Sequence, residues 1–313
     1  MRQRRARAAP ARAAGLLALV VAGGLLAGCA GATSAALPRS SRPASAAAPT
    51  AGSAGSAGSA GSARPASPAA QPASTAPSPA ISPVSTPAAR PLAGKVIVLD
   101  PGHNGGNGSH PSIIDRLVNI ITEWKPCDTA GAETGAGYPE HEFNFNVAVR
   151  LARLLRADGA KVILTRHNDD GVGPCVTQRA EIGNRAHADA AISIHADGGP
   201  PTGRGFEVIA PGLVPGHNAA IIGPSHRLAL DIRNAYHRIT REPYSDYVGT
   251  QGLDVRTDLG GLNLSTVPKV FIECANMRDA ADAARLTNPR FRQRVAEALA
   301  AGFLAFLAPN SHP

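Results

Sequence analysis

Two histidines and two glutamates stand at turns of the chain where chemistry is commonly built. His103 follows an apolar run in KVIVLDPGHNGG, and His195 closes AISIHADGG. Glu140 opens a stretch of helical periodicity, and Glu273 closes VPKVFIEC. Two imidazoles and one carboxylate are a common donor set of hydrolytic zinc centres, which keep a further position for water. His103, Glu140 and His195 supply that set for one Zn2+ per chain. Glu273 is then the group that takes a proton from water and passes it to the leaving group. Each residue also has an ordinary reading. His103 can cap a turn, Glu140 can favour a helix start through the macrodipole, His195 can be a satisfied strand-end histidine, and Glu273 can pair with an arginine. No HExxH-type motif is present, so spacing alone does not name the metal.

The elements that must position these residues are legible. Strand-like runs lie at Val96–Leu99, Val162–Thr165, Ala190–His195, Phe206–Ile209 and Val270–Cys274. They are rich in Val and Ile and mostly do not alternate, as expected of strands covered on both faces. From Glu140, the residues Phe143, Val147, Leu151 and Leu154 recur at helical spacing, and the run ends at Asp158-Gly159. Further helices are predicted over 176–187, 225–240 and 289–307. Strands alternating with helices imply an α/β fold: a single domain with a mainly parallel twisted sheet and helices on both faces. In such sheets, sites form at the carboxyl ends of strands, where His103, His195 and Glu273 fall, with Glu140 at the start of the first helix.

The chain ahead of this domain has a different composition. Arg2, Arg4, Arg5, Arg7 and Arg12 precede an apolar core, Leu17 to Leu26, which reads as an export signal over 1–28 and is short for a bilayer span. Leu26-Ala27-Gly28-Cys29 resembles a lipobox, which implies lipidation of Cys29; a plain secretory signal is the alternative. Residues 29–92 are Ala-, Pro-, Ser- and Gly-rich and read as a flexible tether, averaging roughly 40–50 Å end to end. The net charge of +8 belongs to this region. Nine of the 31 Lys and Arg residues lie before residue 93, with no acid among them, leaving 22 against all 23 acidic residues in 93–313. That balance, with no basic patch among aromatics, argues against nucleic-acid binding.

Three cysteines remain in the domain. An exported chain can form disulfides, and a bridge from Cys127 to Cys175 would staple the long 105–139 segment to the body; three reduced cysteines are the alternative. Cys274 is expected to stay free.

Over residues 95 to 308 the chain resembles the zinc-dependent N-acetylmuramoyl-L-alanine amidases of the Amidase_3 type. The carrying pieces are VIVLDPGHNG, PEHEFNFNVAVRLARLL, VILTRHND, RAEIGNRAHADAAISIHAD and GLNLSTVPKVFIECANM, in family order. GYPEH, SIHADGG and GRGF look most like the actinobacterial, mycobacterial-type members. The resemblance implies zinc ligands at His103, Glu140 and His195, and a catalytic Glu273. Glu142 is the rival of Glu140, but Glu140 stands four residues before Asn144, as in the family's E-x-x-x-N helix. It also implies hydrolysis of the amide between N-acetylmuramic acid and L-alanine, with peptidoglycan or its fragments as partner.

Asp100 is expected either to orient His103 or to be a strand-terminal turn residue, and Asn263 to line the substrate cleft. Arg166 and Arg179 are expected in structural salt bridges, and His110 and His141 in no catalytic role. The protein is expected to be a monomer, either anchored to the membrane through Cys29 and facing the wall, or secreted. The competing readings are a zinc peptidase cutting within the stem peptide and a non-catalytic wall-binding lipoprotein.

Overall fold

Eight strands, seven α-helices and one short 3-10 helix (Asn107–Ser109) follow one another in the computed structural model, which describes residues 90–308. The predicted signal, Cys29 and nearly all of the tether lie outside the described residues. Leu92, at the tether's predicted end, is fully buried, and its N–H donates to the Asp158 carbonyl. In chain order the elements are β1 (Val96–Pro101), α1 (Pro111–Ile114), β2 (Leu117–Asn119), β3 (Trp124–Pro126), α2 (Glu140–Ala157), β4 (Lys161–Leu164), α3 (Val176–Arg185) and β5 (Ala190–Asp197). They continue with β6 (Glu207–Pro211), α4 (Ala219–Thr240), β7 (Leu253–Arg256), α5 (Gly260–Asn263), β8 (Lys269–Asn276), α6 (Ala280–Leu286) and α7 (Pro289–Leu307).

Six strands form one sheet in the order β4-β1-β5-β8-β6-β7. The first four are mutually parallel. β6 runs antiparallel to β8, and β7 is parallel to β6. The mainly parallel α/β fold is as expected, with a reversed pair at one edge. β7 is only four residues long, Leu-Asp-Val-Arg, with none fully buried, which is why its sequence does not announce a strand. α4 begins at Ala219, six residues before the predicted start, and carries Pro224 inside it. The 105–139 segment holds α1 and a separate β2–β3 hairpin.

The sheet's two faces are unequal. Ile97, Leu99, Ile192, Ile194, Val270 and Ile272 point to the larger core, under α2, α4 and α7. Each such side chain buried contributes about 1.5–3 kcal/mol of transfer free energy. Alternate residues on the same strands point to the side covered by α3 and α5. There Val98 and Ala191 form a small apolar cluster with Ala188 and Val267. Beyond that cluster this face turns polar, and the candidate site occupies it.

Helices α4 and α7 approach closely at Gly302, where an added Cβ would meet Ile232 Cδ1 at 2.6 Å and Ile232 Cα at 2.8 Å. Helix propensity alone favours alanine over glycine by about 1 kcal/mol, but overpacking costs about 1–3 kcal/mol. Gly302→Ala is therefore expected to lower stability in urea unfolding; a stabilised variant would show that the two helices have room to separate.

Candidate metal centre

Four separate elements deliver the site. His103 leaves β1 through Pro101-Gly102 with a left-handed φ of 54°. Gly102 is required there, because a Cβ would lie 2.0 Å from the His195 ring. Glu140 opens α2, buried at its first turn. His195 lies near the end of β5. Ligand atoms of His103, Glu140 and His195 all lie within 4.8 Å of one another. Glu140 Oε2 is 3.2 Å from His103 Nε2, and Oε1 is 2.8 Å from His195 Nδ1. The Ala132 N–H donates to Oε2 at 2.8 Å, and Asn144 Nδ2 donates to Oε1. Glu142 is exposed on the same helix and has no place in this cluster.

The electrostatics favour a cation. Burial raises the Glu140 carboxyl, but His103 and His195 outweigh it and hold the group well below its usual range. Burial lowers His103, but Glu140 and Asp128 outweigh it and push the imidazole up to about 10. His195 is lowered by burial and stays neutral near pH 7. His103 Nδ1 faces two acceptors, Asp128 Oδ1 and the Thr129 carbonyl, both at 3.0 Å. That nitrogen must therefore carry a proton in either charge state, so Nε2 is the ligating atom once a metal displaces the proton it shares with Glu140. Two imidazoles and a carboxylate, oriented in this way, fit a zinc ion.

Asp100 does not orient His103 directly; Asp128 does. The Asp100 carboxylate is taken by four other donors. Thr165 Oγ1 and Arg179 Nη1 donate to Oδ1, while Ser193 Oγ and Lys269 Nζ donate to Oδ2. Burial opposes ionisation, but Lys269 and Arg179 outweigh it and hold the carboxyl far below 3.8. Arg179 also donates Nη2 to Asp128 Oδ2 at 3.0 Å. The connection from Asp100 to His103 thus runs through Arg179 and Asp128. Asp128 carried no signal in the sequence beyond its place after Cys127. That cysteine is disulfide-bonded to Cys175, as expected, while Cys274 is free and buried.

Glu273 is the register partner of His195 across β5 and β8, on the same polar face. Its Oε2 is buried and has no hydrogen-bond partner among the described residues. Burial, then the charges of Glu140 and Asp197, push its carboxyl well above the usual range. On its other side it pairs in register with Glu207, itself raised to about 7 by burial and Asp197. Glu207 was not anticipated from the sequence. The Phe271 ring stacks on His195 at 4.1 Å. His103, Glu140, His195, Phe271 and Glu273 line one cleft of about 460 Å³.

Asn263 does not line that cleft. It is buried, and its Nδ2 donates to the Ile120 and Thr257 carbonyls, tying the hairpin segment to the turn before α5. Arg166 is structural: it pairs with Asp169 and donates to the His141 carbonyl. His141 is held by Asp169 at 2.7 Å, and His110 by the Gly106 carbonyl.

Residues 97–305 match the Amidase_3 family, N-acetylmuramoyl-L-alanine amidase. The chain is 40% identical over 235 residues to the N-acetylmuramoyl-L-alanine amidase Rv3717 of Mycobacterium tuberculosis, covering 74% of this chain and 94% of that one. It resembles the crystal structure of the N-acetylmuramyl-L-alanine amidase Ami1 from Mycobacterium smegmatis, with a TM-score of 0.65 and 41% identity over 69% of this chain and 98% of that one. It also resembles the N-acetylmuramoyl-L-alanine amidase AmiC2 of Nostoc punctiforme, with a TM-score of 0.50 and 26% identity over 68% and 97% of the two chains.

Two outcomes follow from the buried network. Asp100→Ala leaves Lys269 and Arg179 as uncompensated buried cations and is expected to cost about 3–5 kcal/mol in urea unfolding. Because the folded-state pKa is depressed, that contribution is full above pH 3.8 and is lost as pH falls through the acid range. A loss under about 1 kcal/mol at pH 7 would sink this assignment. The double change Cys127→Ser, Cys175→Ser is expected to cost about 2–4 kcal/mol. It should also weaken zinc binding in competition titrations, since Asp128 is the next residue; unaltered affinity would separate the disulfide from the site.

Proposed function

From the premise that the chain belongs to the Amidase_3 family of N-acetylmuramoyl-L-alanine amidases, we propose that its amidase activity is zinc-dependent and runs through Glu273. The substrate is peptidoglycan, cut at the amide between N-acetylmuramic acid and L-alanine. One observation carries the mechanistic reading. The ligand atoms of His103, Glu140 and His195 converge within 4.8 Å, and Glu273, beside His195, aims a buried oxygen that nothing else engages.

His103 Nε2, the Glu140 carboxylate and the His195 imidazole would hold the zinc. When bound, the zinc supplies a Lewis acid for the carbonyl oxygen and lowers the pKa of water. Asp128 keeps the proton on His103 Nδ1, so that the opposite nitrogen stays a donor. Glu273 takes one proton from the attacking water as oxygen adds to the lactyl carbonyl carbon. It then hands that proton to the alanine nitrogen as the C–N bond breaks. The products are the lactyl carboxylate on the sugar and a peptide with a free amino terminus. Burial, then the charges of Glu140 and Asp197, raise the basicity of Glu273.

The predicted signal over 1–28 and lipidation of Cys29 would export the enzyme and anchor it, with the tether spanning toward the wall. No helix among the described residues is long and apolar enough to cross a membrane.

A muropeptide digest read by mass spectrometry tests this. Purified protein should release intact stem peptide from muramic acid, lose that activity to a chelator, and regain it with zinc. Glu273→Ala should lower kcat by roughly 10²–10⁴-fold with zinc content unchanged. Near-normal turnover by the folded variant would remove Glu273 from the mechanism, and activity insensitive to chelation would remove the metal.

A further inference from the structure

Two clefts meet at the site. The one that holds the His103–Glu140–His195 cluster adjoins a second, of about 780 Å³, and Gly131, Ala132 and Arg278 line both. Arg278 differs from the other cations that line them. Arg179 is engaged by Asp100 and Asp128, Lys125 by Asp258, and His141 by Asp169. The exposed Arg278 guanidinium makes no hydrogen bond or ion pair among the described residues. Its backbone is nevertheless fixed. The Arg278 N–H donates to Asn276 Oδ1 at 2.9 Å, and the buried Asn276 amide donates to the Pro200 and Gly203 carbonyls. A free guanidinium on an anchored base, at the mouth between two clefts, is a carboxylate receptor in want of a ligand.

The chemistry of the substrate says which end would supply that carboxylate. Before cleavage the lactyl carboxyl is tied up in the scissile amide, and an N-acetylated sugar is neutral. The anions of the substrate therefore lie on the peptide side. The first cleft offers them no free Lys or Arg besides Arg278, since Arg179 is engaged by Asp100 and Asp128 and Lys125 by Asp258. Resting on the amidase reading above, we infer that Arg278 binds a carboxylate of the stem peptide, directs the peptide into the second cleft, and so sets a preference for acidic over amidated stems. Glu133, exposed in the second cleft, works against that preference. Arg278 is thus a specificity residue and takes no part in the bond-breaking step.

Two synthetic substrates test this: N-acetylmuramoyl-L-alanyl-D-glutamate, and the same compound with both glutamate carboxyls amidated. Wild-type kcat/KM should favour the acid by roughly two- to five-fold, carried in KM, because an exposed charge-assisted contact is of that order. The preference should shrink as salt rises. Arg278→Ala should lose the preference by falling on the acid alone. Arg278→Lys should keep part of it, and Glu133→Gln should enlarge it. An unchanged acid-to-diamide ratio in Arg278→Ala, or an equal loss on both compounds, would overturn the inference while leaving the amidase reading intact. Failure of wild-type protein with zinc to cleave either compound or intact wall would overturn both.

Discussion

A buried carboxylate with four donors holds this structure to its function. Asp100 sits at the end of β1 with two hydroxyls, a lysine and an arginine on its oxygens. Burying such a charge is costly unless it is paired and its lone pairs are satisfied. Here the partners come from β4's end, β5, β8 and α3, so satisfying Asp100 on β1 locks four strands and one helix into one geometry. Arg179 extends the same network outward to Asp128, and Asp128 reaches the ring of His103. Alternating charges along this path mean that each group stabilises the ionised form of the next.

The sheet's asymmetry explains why the network lies where it does. One face is wholly apolar and carries the main core under α2, α4 and α7. The other has only a small apolar cluster, and toward the strand ends its inward positions become Asp100, Ser193, His195, Phe271 and Glu273. Two-residue periodicity makes these the neighbours of core residues on the same strands. Register does the rest: His195 opposes Glu273, and Glu273 opposes Glu207. A slip of one residue in β8 would place Glu273 in the apolar core.

Tight approach and charge complete the site. Gly102 lies against the His195 ring, and Gly131, with φ of 85°, lies where a Cβ would come within 2.6 Å of His103. Both glycines are there because the chain passes the imidazoles too closely for a side chain. The carboxylates outnumber the free cations around the cleft, which suits a divalent metal and leaves Arg278 as the anion-attracting group on its rim.

The sequence by itself determined the strands and helices that periodicity marks, the mainly parallel sheet, and the four strand- and helix-end residues His103, Glu140, His195 and Glu273. Local pattern carries that information because core strands and amphipathic helices are defined by burial, and burial is written residue by residue. The Cys127–Cys175 pairing was also open to reasoning, since so few cysteines remained to pair. Other features were decided only by the tertiary structure. Asp128, 25 residues from His103, became its hydrogen-bond partner, while Asp100, three residues away, turned to Lys269 and Arg179 instead. Asn263 went to backbone carbonyls of the hairpin and not to the cleft, and Glu207 came to face Glu273 through strand pairing. Side-chain partnerships of this kind depend on which distant segments the sheet order brings together, and on where each side chain can point once its backbone is fixed. Neither is written in the spacing of residues along the chain.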